Sequence, residues 1–543
     1  MRSRVPGGPD GVKASLDCPP RAGGGIGRRA RLRALWPVGP WRFKSSPAHV
    51  RSPRSAAGFV ASVPDVKDAC AAAIDAALGA GASYADARAI VRRTQGVSTR
   101  DGRVVALNDA ETEGIGVRVL VDGAWGFACD RRLDAAGARD AALRAAAFAA
   151  AAGGNGNRAL APLDARSGAF RPTVEIDPFD VSLEDKVALC LRAEGAMRRV
   201  EVKVTQAYVR ALREHKLFLS SDGAEIDQEL VECGGGIDAT AVSSDGIVQD
   251  RSYPSAHVGS SAQAGWEYVE GLDLEREAPR VAEQAAQLLQ ADECPPGVTT
   301  VVIDHEQMQL QVHESVGHPT ELDRVYGTEA AYAGTSFLHP DDLGRLQYGS
   351  EHMNITADPT TPLGLGTFGF DDEGVPAERL PIVSAGVLSG FLDSRETAAR
   401  IGRGTGGSMR ADGWQRMPLV RMTNLHLEPG SGTLEELISE VDDGLYLETN
   451  RSWSIDDKRL NFQFGTQMAW EIKGGKLGRL LRDAIYTGVT PVFWGSLDRV
   501  AGPEAWVMYG LTNCGKGQPG QHAHVSHGAS PARFRNVQVG VKA

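Results

Sequence analysis

The chain has 543 residues, 42 % of them hydrophobic, which is enough to bury more than one core and predicts two or three domains. Its net charge of −11 excludes a general electrostatic attraction for nucleic acid, and no apolar run approaches the length that a membrane-spanning helix needs. The seven cysteines, at 18, 70, 129, 190, 233, 294 and 514, are odd in number, widely spaced and free of Cys-x-x-Cys pairs, which argues against a disulfide framework and for a reducing, cytoplasmic setting.

Charge is unevenly distributed. Residues 1–57 hold twelve Lys/Arg against Asp10 and Asp17, with abundant Gly, Pro and Ser and little periodicity, so this stretch reads as a disordered basic tail that is dispensable and not necessarily native to the protein. A globular pattern begins at residue 58. Ser62 and Pro64 open a helix that carries Val66, Cys70, Ala73, Ile74 and Ala77 on one face up to Gly79. Asp101-Gly102 and Asp122-Gly123 sit between β-rich runs and predict hairpins, and an Ala-rich helix from about 134 to 152 then ends at a Gly/Asn cluster. These elements make a first α+β domain over 58–165.

A middle α+β region over 176–292 opens with Ser182 capping a helix through about Met197, with Asp185 three residues on. Two copies of Ser-Ser-Asp-Gly, at 220–223 and 243–246, predict turns in a strand meander, and a helix from about 274 to 291 follows. From 293 to 543 the pattern is mainly antiparallel β, with a helix near Leu434–Val441. Its first strand, 298–303, is built wholly of β-branched residues and leads directly into the main motif. The fold class is α+β.

That motif is Gln311-Val312-His313-Glu314-Ser315-Val316-Gly317-His318-Pro319. A Glu between two imidazoles is the minimal kit for a hydrolytic zinc site: neutral His nitrogens hold the ion and the carboxylate takes a proton from the attacking water. By composition the pattern should arise by chance at most roughly 0.03 times in this chain. The spacing is five residues rather than four, and on a straight helix five steps of about 100° turn the two side chains apart. A bulge would bring them together. Gly317 and Pro319 instead favour a helix that ends between them, with His318 swung back from an extended conformation.

A third ligand is required. Cys514 stands in the Gly-rich run Thr512-Asn513-Cys514-Gly515-Lys516-Gly517-Gln518-Pro519-Gly520, with Lys516 placed to favour its thiolate; a ligand and a surface thiol fit this setting about equally. His522, His524 and His527 form a late cluster that could replace it, a polar strand face being the plainer reading, with His527 nearest the site. His305-Glu306 reads as a strand end, and Asp371-Asp372-Glu373 as a solvated turn that lacks the oxygens of a calcium site.

Taken together, His313-Glu314-x-x-x-His318, Asp371-Asp372-Glu373-Gly374, Arg421-Met422-Thr423-Asn424, Cys514-Gly515-Lys516-Gly517-Gln518-Pro519 and Val525-Ser526-His527-Gly528 resemble, in identity and order, the TldD/PmbA family of zinc metallopeptidases, and specifically its catalytic TldD-type members. The resemblance covers roughly residues 60–543. It implies zinc held by His313, His318 and Cys514, with Glu314 as general base, acting on unfolded or short peptides in an enclosed channel, including the maturation of modified peptides. It also implies a homodimer, or a heterodimer with a paralogue that lacks the motif, and no membrane or direct nucleic-acid partner. One segment departs from the family pattern: where many members have a Gly-Gly-Gln-Val-Asp-like run between Tyr446 and Lys476, this chain has Asn450-Arg451-Ser452-Trp453-Ser454-Ile455-Asp456-Asp457-Lys458-Arg459. The rival class is a non-catalytic interaction protein that modulates DNA gyrase or another partner. Retention of His313, Glu314, His318 and Cys514 together favours the enzyme.

Overall fold

Two long hairpins set the frame of the first half of the protein, described here from a computed structural model for residues 63–154, 158–256 and 259–540. The basic tail 1–57 and the cap residue Ser62 lie outside the described residues, all of which fall within one compact unit. Helix α1 (Val63–Gly79) precedes β1 (Tyr84–Arg100), β2 (Arg103–Val121) and β3 (Ala124–Asp130), and α2 (Ala135–Ala152) follows. Both predicted Asp-Gly turns form, with positive φ at Asp101, Gly102, Asp122 and Gly123, the geometry that matches the twist of the flanking strands. The alanines of α2 let it sit close on the sheet: a Cβ on Gly126 would lie 2.0 Å from the carbonyl oxygen of Ala145.

The chain continues through β4 (Ser167–Phe170), α3 (Leu183–Ala196), β5 (Val202–Ser220), β6 (Glu225–Val242), β7 (Val248–Tyr253) and β8 (Ser260–Ala262) to α4 (Trp266–Leu272) and α5 (Leu274–Leu288). Ser182 caps α3 as expected, accepting from the Asp185 amide at 3.0 Å. The predicted helix at 274–291 forms as α5 and ends at Leu288; the short α4 before it was not predicted and is set off from α5 by Asp273, whose φ is positive. All eight strands belong to one sheet, in which β1 pairs antiparallel with β2 on one side and with β5 on the other. We propose 58–165 and 176–292 as two sequence segments that share this sheet.

The remainder, 293–540, is mostly β, and the protein is α+β. In one of its sheets the pairings close on themselves: the strand 443–455 pairs with both 297–303 and 461–473, and these are linked through 532–539 and 485–489. A second sheet runs 387–388, 380–384, 355–357, 424–427, 521–529, 507–516, with 424–427 parallel to 521–529. The largest apolar core lies between these sheets and encloses Met308, Val312 and Val316 of the motif helix. Among the described residues no helix is long and apolar enough to cross a membrane.

Candidate metal centre

Strand β-branched residues deliver Ile303 to Asp304, and α6 (His305–Val312) begins there, so His305-Glu306 opens the motif helix rather than ending a strand. Past Val312 the helix does not stop. Residues His313–Gly317 form a π-helical turn in which the His318 amide bonds back to the His313 carbonyl, and His318–Thr320 then tighten into a 3₁₀ turn. The expected helix end is therefore a bulge. His318 keeps α-region angles (φ −62°, ψ −43°) despite the following proline. A turn widened by one residue puts five-apart side chains on one face, which an α-helix cannot do.

Tertiary partners stabilise this turn. Ser315 donates to the Gln311 carbonyl and receives Trp494 Nε1 at 2.9 Å, Tyr348 donates to the Ser315 carbonyl, and Thr320 Oγ1 donates to the Val316 carbonyl at 2.8 Å. Gly317, whose φ is ordinary for a helix, is required for space: a Cβ there would stand 2.2 Å from Met422 Sδ.

The consequence is convergence. Cys514 Sγ lies 3.5 Å from His313 Nε2 and 3.8 Å from His318 Nε2, and the three donor atoms fall within 4.8 Å of one another, all buried. Each imidazole is anchored by its other nitrogen, His313 Nδ1 to His527 Nε2 at 2.7 Å and His318 Nδ1 to Glu321 Oε2 at 3.1 Å. Burial lowers the pKa of both histidines, that of His318 well below its ordinary value, which keeps the rings neutral.

Cys514 is a strand residue, within Val507–Lys516, and is buried rather than exposed on a flexible loop. Burial alone would raise its pKa. The Arg421 charge and the His318 contact outweigh it, and the net shift is downward. Arg421, which donates to the Cys514 carbonyl, supplies the positive charge expected of Lys516. The Lys516 ammonium is committed to Asp323 at 2.8 Å and Glu321 at 3.2 Å. Glu314 lies beside the cluster, its Oε2 2.5 Å from Arg459 Nη1. Of the late histidines, only His527 reaches the centre; His524 bonds to Glu232, and His522 and His524 line a separate charged cavity. A partly open space of about 70 Å³ adjoins His313 and His527, bounded by Leu310, Leu511, Asn450 and Glu306.

Three models of one family match the chain: PmbA/TldA metallopeptidase domain 1 over residues 85–152, the central domain over 176–291 and the C-terminal domain over 296–540. A metalloprotease of Methanothermobacter thermautotrophicus is 30 % identical over 465 residues, covering 84 % of this chain and 95 % of the relative. The chain belongs to the PmbA/TldD metallopeptidase family. A metalloprotease of Archaeoglobus fulgidus is 32 % identical over 406 residues, 74 % of this chain and 88 % of its own length. Two solved structures share the fold: a protein from Bacteroides thetaiotaomicron described as a modulator of DNA gyrase (TM-score 0.69, 17 % identity, 88 % of this chain and 99 % of that one) and TldE from Thermococcus kodakarensis (TM-score 0.64, 15 % identity, 86 % and 99 %).

In this PmbA/TldD metallopeptidase the other sequence blocks have structural work. Asp371-Asp372-Glu373 is buried, not solvated: Asp372 pairs with Lys216 at 2.6 Å and Glu373 with Arg118 at 3.0 Å, so the block ties the first sheet to the C-terminal region. Asp371 accepts the amides of Glu373, Val375 and Met409; burial, then the Glu373 charge, push its pKa up to about 8. Sequence reasoning missed Glu321, Arg421 and Arg459 as neighbours of the centre. Glu321 follows His318 by three residues, a helical spacing that could have signalled it, whereas nothing local marks Arg459.

Proposed function

We propose that His313, His318 and Cys514 hold a zinc ion and that Glu314 is the general base of this metallopeptidase, cleaving short or unfolded peptides, with maturation of modified peptides among its uses. The observation that carries the reading is the convergence of two imidazole Nε2 atoms on one thiol sulfur. A tetrahedral zinc with N and S ligands has N···S edges of about 3.5 Å, and the edges here are 3.5 and 3.8 Å. The donor chemistry fits as well: neutral rings, and a thiol whose pKa is lowered.

When bound, zinc would polarise the scissile carbonyl and make water more acidic. The chain's own residues do the rest. Glu314 takes a proton from the attacking water and returns it to the leaving amine. The three donor residues are buried, which strengthens these interactions. We assign the protein to the cytoplasm, acting as a homodimer or with a motif-lacking paralogue. The test is metal analysis of the purified chain beside Cys514→Ser: one zinc per chain is expected in the first and markedly less in the second. Full zinc in both, or another metal in the first, overturns the assignment.

A further inference from the structure

The segment that departs from the family pattern is folded against the motif. Strands 443–455 and 461–473 form a hairpin whose tip, Asp456–Leu460, is cross-braced: Asp456 accepts from the Leu460 amide at 2.8 Å and from Asn461 Nδ2 at 2.6 Å, and the Arg459 amide bonds to the Asp456 carbonyl. Four contacts fasten the tip to the body, one of them from the Thr490 amide to the Leu460 carbonyl. The Thr335 amide bonds to the Asp457 carbonyl, the Phe337 amide to the Lys458 carbonyl, and Thr490 Oγ1 to the Arg459 carbonyl. A tip so held does not behave as a mobile lid. At its end Arg459 adopts φ +63°, a left-handed conformation that side-chain-bearing residues keep only where the surroundings enforce it.

The Arg459 side chain makes a single contact with the motif. Arg459 Nη1 lies 2.5 Å from Glu314 Oε2, both side chains largely buried, and among the described residues Glu314 has no other hydrogen-bond or ion-pair partner. Adjacent residues of a helical turn diverge, so the backbone that aims His313 at Cys514 does not itself aim Glu314. A carboxylate on two rotatable methylenes needs an external restraint to keep one geometry, and a braced guanidinium supplies it.

We propose that Arg459 is a positioning residue for Glu314, so that the departing hairpin is a wall of the site and not a surface turn. The proposal rests on Glu314 being the base, and the experiment separates the two. In full-length zinc-loaded protein, Arg459→Ala should lose about 10²-fold in kcat, with KM and zinc stoichiometry little changed, since misplacement of a reacting group by about 1 Å costs that much. Arg459→Lys should recover part of the loss, and added guanidinium should raise the Arg459→Ala rate at least about tenfold. In Glu314→Gln, adding Arg459→Ala should cause no further loss. Independently of turnover, the melting temperatures of the metal-free single and double variants should be non-additive, the double variant losing less than the two singles together. Wild-type kcat in Arg459→Ala with a dead Glu314→Gln overturns the positioning role and leaves the base intact. An active Glu314→Gln overturns the base itself. A slow, zinc-replete and stable Arg459→Ala that neither Lys nor guanidinium improves also overturns positioning.

Discussion

His527 Nε2 lies 2.7 Å from His313 Nδ1, and His527 Nδ1 lies 3.2 Å from the Leu425 carbonyl oxygen. A carbonyl can only accept, so His527 is protonated on Nδ1, its Nε2 accepts from His313 Nδ1–H, and the His313 Nε2 lone pair is left facing Cys514. The sheet register enforces this order, because Leu425 and His527 are direct partners across parallel strands. Replacing His527 by Leu removes the acceptor and should weaken zinc binding about 10- to 100-fold, whereas Gln, which can present an oxygen, should lose less. Chelator competition on both variants measures the difference.

Glu314→Gln tests the base. It preserves shape and hydrogen bonding, so zinc stoichiometry should be unchanged while turnover falls by about 10²- to 10⁴-fold. Zinc and peptide cleavage are to be measured on one preparation; joint loss would make Glu314 a ligand.

Gly317→Ala would normally favour a helix. Here the added methyl meets Met422, which is fully buried, and overpacking of this kind costs about 1–3 kcal/mol. A lower melting temperature is expected, with partial recovery in Gly317→Ala/Met422→Ala.

Asp393 carries a pH signature. Burial pushes its pKa up to about 7, although Thr405 Oγ1 and the Gly406 amide both bond to its Oδ1. The folded state thus binds the proton more tightly than the unfolded state. Its contribution to stability is greatest below pH ~4, falls as pH rises toward 7 and is flat above, by at most about 4 kcal/mol. Asp393→Asn keeps the acceptor and removes the ionisation, so its melting temperature should exceed that of the parent at pH 8 and approach it at pH 4.5.

Local signals were legible wherever they are written in adjacent residues. The hairpins at Asp101-Gly102 and Asp122-Gly123, the Ser182 cap and the strand before the motif all formed as expected. The donor atoms of His313, His318 and the sequence-distant Cys514 come within 4.8 Å of one another. What the sequence concealed depends on distant partners. The π-turn needs Tyr348 and Trp494, and the acidic block looks solvated until Arg88, Arg118 and Lys216 are seen beside it. Arg459 reaches Glu314 only through the folding of a hairpin 145 residues away.

The acidic block also bears on how the molecule can be divided. Severing the chain near residue 292 would part Asp372 from Lys216 and Glu373 from Arg118, and would uncover the face on which they meet, while Arg118 would keep Asp86. Those contacts are buried only while both parts are present, and losing them along with the apolar area they cover removes several kcal/mol from a stability that is itself of that order. Isolated pieces should therefore misfold or reassociate, and a minimal peptidase excised from the C-terminal half is not to be expected: the region that carries His313, His318 and Cys514 is completed by a sheet formed from residues before 292.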